Sequence, residues 1–211
     1  MRYQDFTDPM VEAADLVTAH QACLDHLRSH GDIEAAKASR LDGWSIGTVV
    51  THVARNADSH VSMLAGGPQY EDGWDGRERL ITGNAHLTWD EIVDDFCDAA
   101  DRVERAYEAQ TDWTVDVLML VGCRPAGYLP LARRRELEVH RVDLGLGYEL
   151  GDVPGDFVER DLRFLEIWWH STNPHDDRSL PAAIAEADTL TRWSWLVGRL
   201  EVDELAPSGL F

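Results

Sequence analysis

Residues 41–67 read LDGWSIGTVVTHVARNADSHVSMLAGG, and this stretch decides the fold. Ser45, directly after Gly43-Trp44, is placed to cap a helix with its side-chain oxygen. Ile46, Val49, Val50, Val53, Ala57, Val61 and Leu64 then recur at three- and four-residue steps until Gly66-Gly67 stops the pattern. The spacing predicts an amphipathic helix that carries His52 and, one turn later, Asn56. A helix with one apolar stripe must bury it against elements of the same kind.

Those elements lie on either side. Upstream, Asp8 is a cap, Pro9 suits a first turn, and Met10, Ala13, Leu16, Val17, Ala19, Cys23, Leu24 and Leu27 form a second stripe over residues 8–30, closed by Gly31. Residues 31–43 are polar and loop-like. Downstream, a loop rich in Gly, Asp and Trp spans 67–76, and Arg77–Ile81 predicts a short helical piece. Thr88 and Glu91 then form a capping box before Ile92, Val93, Phe96, Ala99, Ala100, Val103 and Tyr107. Val115–Val121 is an apolar run of strand length, and a further helix starts near Ala126–Pro130 and extends to about Leu144, ahead of Gly145 and Gly147. Residues 1–145 thus hold four long amphipathic helices, whose antiparallel packing makes a four-helix bundle.

Residues 146–211 predict a small C-terminal α(+β) region: a helix after Pro154, a polar break at Ser171–Ser179, and a last helix over roughly Pro181–Leu200. Trp168, Trp169, Trp193 and Trp195 read as core or dimer contacts rather than a ligand cage.

With 211 residues and 44% hydrophobic residues, the chain can build one domain with an appendage around a sizeable core. Its formal net charge of -20 repels phosphate backbones and anionic membranes, so nucleic acid and membrane are not expected partners. Lys37 is the only lysine, a bias expected of a GC-rich bacterial genome. The start, MRYQDFTDPM, has no apolar core of a signal peptide, and no apolar run reaches membrane-spanning length. Three scattered cysteines without a C-x-x-C motif argue for a reducing cytoplasm. Cys23 and Cys97 fall on apolar helix faces as inert core, and only Cys123, in GCRPAG, is a candidate reactive thiol.

Glu136 and His140 lie four residues apart, which puts both on one helix face. Such a pair is more often a solvated contact than a metal site, and a lone histidine such as His52 is more often a satisfied core residue. If the two helices face each other, His52 completes a His-Glu-His set, and three protein ligands with an open fourth position are the pattern of catalytic zinc. This donor set also suits iron, nickel or manganese.

The wording around these residues is more specific than their spacing. Gly43-Trp44-Ser45 followed by His52-Val53-Ala54-Arg55-Asn56-Ala57 resembles the second helix of the mycothiol-dependent maleylpyruvate isomerase group, which belongs to the DinB-like metal-binding bundles. Arg135-Glu136-Leu137-Glu138-Val139-His140-Arg141-Val142-Asp143-Leu144-Gly145 is similar to that group's second block, and Ala187–Arg199 is loosely similar to its closing helix. The resemblance implies a DinB-like four-helix bundle with His52, Glu136 and His140 as ligands of Zn2+ or another divalent metal. It also implies mycothiol, a low-molecular-weight thiol, as cofactor and a small electrophilic substrate, isomerised or conjugated by thiolate addition. An arginine for a substrate carboxylate is expected at Arg77 or Arg79, with Arg77 preferred, and Asn56 is a candidate for orienting a ligand or, equally, for a helix–helix hydrogen bond. Asp143 is expected in a structural salt bridge with an arginine near the helix end. A non-catalytic metal- or ligand-binding bundle and a zinc-dependent hydrolase are the alternatives, and the state of assembly is open between monomer and homodimer.

Overall fold

The computed structural model describes residues 8–31, 33–84, 86–172, 180–203, 205–208 and 210. Its contacts divide the chain into two compact units, Met1–Leu146 and Gly147–Phe211.

The first unit is built on α1 (Pro9–Arg28), α2 (Ile46–Leu64), α3 (Gly73–Thr82), α4 (Trp89–Ala109) and α5 (Leu129–Asp143). Local chemistry sets their starts. Asp8 accepts from the Met10 N–H, Ser45 from the Thr48 N–H, and Thr88 and Glu91 close a reciprocal capping box. α1 packs on α4 and α5, and α2 packs on the same two helices, so the four long helices close into a ring. Leu16, Leu27, Ile46, Val49, Ala54, Phe96, Val103, Leu129 and Leu137 fill its centre. This is a DinB-like helical bundle, the architecture the four stripes predict. α3 lies against α2.

Two differences from the expected elements have plain causes. Val115–Val121 supplies only half of a β-hairpin: β1 (Asp116–Met119) pairs antiparallel with β2 (Gly122–Pro125), Asp116 opposite Pro125 and Met119 opposite Gly122. The second strand is masked by its composition, since Gly, Cys, Arg and Pro show no strand alternation. The exposed Cys123 therefore sits on a strand rather than in a loop, while Cys23 is buried in the core, where desolvation pushes its thiol up to about 12. Second, α3 starts at Gly73, earlier than Arg77.

In the second unit, α6 (Gly155–Thr172) carries Phe157, Leu162 and Leu165 into a core shared with α7 (Ala182–Ala185) and α8 (Thr189–Leu196). The single final helix expected over Pro181–Leu200 is two pieces, because Asp188 caps a new start by accepting from the Thr191 N–H. Trp193 and Trp195 are buried, Trp193 donates to Asp161 at 2.8 Å, and Trp169 meets Trp195 edge-on at 5.0 Å. Among the described residues both strands belong to the first unit and the second unit is helical. Residues 173–179 of the expected polar break lie outside the described residues. No helix among the described residues is long and apolar enough to cross a membrane.

The bundle's centre is not wholly apolar. Arg133 on α5 is fully buried. Its Nη1 donates to the Val53 carbonyl at 2.6 Å and to Asn56 Oδ1 at 3.0 Å, both on α2, and its Nε donates to His20 Nε2 on α1 at 3.2 Å. His20 in turn meets Glu104 of α4 through Nδ1 at 2.7 Å. His60 of α2 lies 2.6 Å from the Tyr107 hydroxyl of α4. Removing the guanidinium takes the donor from Asn56 Oδ1 and His20 Nε2, both buried, at about 1–3 kcal/mol each, while the Val53 carbonyl keeps its helical bond from the Ala57 N–H. Arg133→Met should therefore lower the unfolding free energy by roughly 3 kcal/mol or more in urea titrations. An exposed arginine would cost almost nothing.

Burial, ahead of every hydrogen bond, holds His20 down to about 4 and His60 to about 3, against an ordinary 6.5. In the folded chain both stay neutral while the unfolded chain takes up protons below about 6.5, so protonation favours unfolding. The thermal midpoint should fall as pH drops from 6.5 toward 4. His60→Phe should flatten that fall, and a midpoint indifferent to pH in this window would contradict the buried neutral assignment.

Candidate metal centre

Three side chains from two helices converge. His52 of α2 places Nε2 3.0 Å from Glu136 Oε2 of α5, and His140 of α5 places its own Nε2 3.3 Å from the same oxygen. The two imidazoles stand edge to face with centroids 4.7 Å apart. One ligand atom from each of the three residues lies within 4.8 Å of the others. The i, i+4 spacing aligns Glu136 and His140, and the packing of α2 on α5 brings in His52.

The charge arrangement is uneven. Burial would raise the Glu136 carboxyl, yet its hydrogen bonds with His140 and His52 outweigh this and hold it well below the usual carboxylate range. His52 is lowered to about 4, chiefly by burial. Burial would lower His140 as well, but its hydrogen bonds to Asp143 and Glu136 prevail and raise it above the ordinary value. Asp143 is buried, and its Oδ2 meets His140 Nδ1 at 2.8 Å. Asp143, expected to pair with an arginine, thus pairs with a histidine of the cluster.

Arg77 of α3 reaches the same place. Its Nη2 lies 3.3 Å from His52 Nδ1, and its guanidinium carbon stands 5.8 Å from the Trp44 ring centre and 5.9 Å from that of Trp74. Arg79, the other candidate, is exposed and donates to Asp72 at 2.6 Å. Asn56 is buried and its carbonyl oxygen accepts from Arg133 of α5, the helix–helix hydrogen bond that stood beside ligand orientation as its expected role. Arg133 itself carried no expectation from sequence, because an Arg-Arg-Arg run reads as a solvated face.

The turn that delivers Arg77 depends on one glycine. A Cβ on Gly76 would stand 1.6 Å from the Glu71 carbonyl oxygen, and Asp72 already takes a left-handed φ of 60° there.

A ring of four long helices is the arrangement of the DinB-like class of bundle. Within that class, residues 16–145 match the Mycothiol maleylpyruvate isomerase N-terminal domain, and the chain belongs to this family. The fold agrees with the crystal structure of the mycothiol-dependent maleylpyruvate isomerase, with a TM-score of 0.73 at 20% identity over 94% of this chain and 92% of that one. The crystal structure of a histidine-to-alanine mutant of the mycothiol-dependent maleylpyruvate isomerase gives a TM-score of 0.73 at 19% identity over the same shares. Among curated protein sequences there is no match.

Gly76→Ala should displace the start of α3 and destabilise the fold by about 2 kcal/mol, read from urea unfolding. An unchanged midpoint would mean that the Glu71–Gly76 turn relaxes freely and does not fix Arg77.

Proposed function

We propose that this chain is a divalent-metal-dependent enzyme that uses mycothiol to isomerise a small, electron-poor unsaturated acid of the maleylpyruvate type, with zinc as the cation. The observation that carries this reading is the convergence of His52, Glu136 and His140 on one point, with Asp143 behind His140. Family membership and the names of the two structural neighbours supply the thiol and the substrate class.

The donor set fits a cation on its own chemistry. Two imidazole nitrogens and one carboxylate suit zinc, and a carboxylate on the far nitrogen of a ligating histidine is the usual support. When bound, the cation would lower the pKa of a thiol so that a thiolate is available at neutral pH for addition to, and elimination from, an electron-poor alkene. The protein's own contribution is positional. Asp143 accepts from the His140 Nδ1–H, which fixes that ring with Nε2 toward Glu136. Glu136 remains a carboxylate because both histidines hydrogen-bond it. Trp44 packs edge-on against His52 at 5.3 Å and covers the apolar side of the ring. Arg77 presents a planar fork of donors, the group suited to a substrate carboxylate.

Purified wild-type protein should hold about one zinc per chain by elemental analysis, and His52→Ala and His140→Ala should lose it. Full metal in both variants would remove the centre. Asp143→Asn should weaken zinc about tenfold in chelator competition. With zinc and mycothiol present, maleylpyruvate should convert to fumarylpyruvate. A thiol-bound product instead would make the chain an S-transferase, and turnover of an ester or amide without thiol would make it a hydrolase.

A further inference from the structure

The two histidines of the cluster are not equivalent, and the difference lies on the ring nitrogens that face away from Glu136. His140 Nδ1 faces a carboxylate oxygen, Asp143 Oδ2, at 2.8 Å. His52 Nδ1 faces a guanidinium nitrogen, Arg77 Nη2, at 3.3 Å. A guanidinium only donates, so His52 Nδ1 must accept. The proton of the neutral His52 ring then sits on Nε2, where it is donated to Glu136 Oε2 at 3.0 Å. That tautomer is self-consistent, and it blocks the one His52 nitrogen that looks into the cluster.

Given a cation bound by His52, Glu136 and His140, as proposed above, we infer that Arg77 is a positioning residue that competes with it: the cation and the Arg77–His52 contact exclude one another. Ligation through Nε2 needs that nitrogen's lone pair. One proton therefore leaves Nε2 and one is taken up at Nδ1, so the ring stays neutral. Nδ1–H then points at the N–H of Arg77, donor against donor, and the positive guanidinium also lies close to the incoming divalent charge. His140 meets no such conflict, because Asp143 accepts at Nδ1 both before and after Nε2 gives up its proton to ligate. Arg77 has somewhere to go. It is half-buried on α3, and one of its two flanking indoles, Trp74, is 60% exposed, so the side chain can turn outward without opening the core. Loading the cation thus releases the guanidinium from His52 and frees its donors for an anionic group of the substrate.

The test is zinc affinity, measured on the whole chain by competition with a fluorescent chelator, with no assay of activity. Arg77→Gln removes the obligate donor and offers a carbonyl oxygen that can accept from Nδ1–H, so it should bind zinc about tenfold more tightly than wild type. Arg77→Lys keeps a charge and only donors, so it should stay close to wild type. In wild type, zinc should also change the tryptophan emission as the guanidinium leaves Trp44 and Trp74, and Arg77→Gln should lack most of that change. Equal or weaker zinc binding by Arg77→Gln, or equal tightening by Arg77→Lys, would overturn the competition while leaving the metal centre intact. Wild type that takes up no zinc, like His52→Ala, would overturn both.

Discussion

A single buried guanidinium holds the four long helices in register. Arg133 of α5 donates to the Val53 carbonyl and Asn56 of α2 and to His20 of α1, and His20 passes the connection to Glu104 of α4. A charge taken out of water is tolerated only where acceptors surround it, so these distances leave little freedom for the helices to slide. Val53 and Asn56 sit one and four residues after His52, while Arg133 precedes Glu136 by three. The clamp therefore sets the separation of His52 from Glu136 and His140 more tightly than apolar packing alone, which is tolerant of small shifts.

The cluster that this spacing creates is electrostatically lopsided. On one side Asp143 and Glu136 flank His140 and raise it, and on the other burial and the nearby Arg77 leave His52 lowered. An imidazole that favours its cationic form thus stands beside one that favours its neutral form, 4.7 Å apart. The shared oxygen of Glu136 reconciles them, since it takes a hydrogen bond from each and stays ionised. Arg77 reaches the cluster from α3 by way of the tight turn at Asp72–Gly76, so this guanidinium is delivered by backbone geometry as much as by charge.

The helices were legible in the sequence because their signals are local. Caps at Asp8, Ser45 and Thr88, and apolar residues at three- and four-residue steps, act within a turn or two of the chain, and the structure places these helix starts where the signals put them. β2 and the break at Asp188 were not legible. A strand of Gly, Cys, Arg and Pro exists only because β1 pairs with it, and a cap in the middle of an apolar pattern competes with the pattern rather than announcing itself.

The sequence by itself determined the four amphipathic stripes, the one-face placement of Glu136 with His140, and the family wording around His52. Those are properties of residues close in the chain. Only the tertiary structure decided that His52 meets the other two, that Arg77 rather than Arg79 approaches them, that Asp143 serves His140, and that Arg133 is buried. Each of these joins residues on different elements or turns on which face of a helix is covered. A guanidinium in an Arg-Arg-Arg run has the same local sequence whether it faces water or three buried acceptors, and only the packing of α5 against α1 and α2 distinguishes the two.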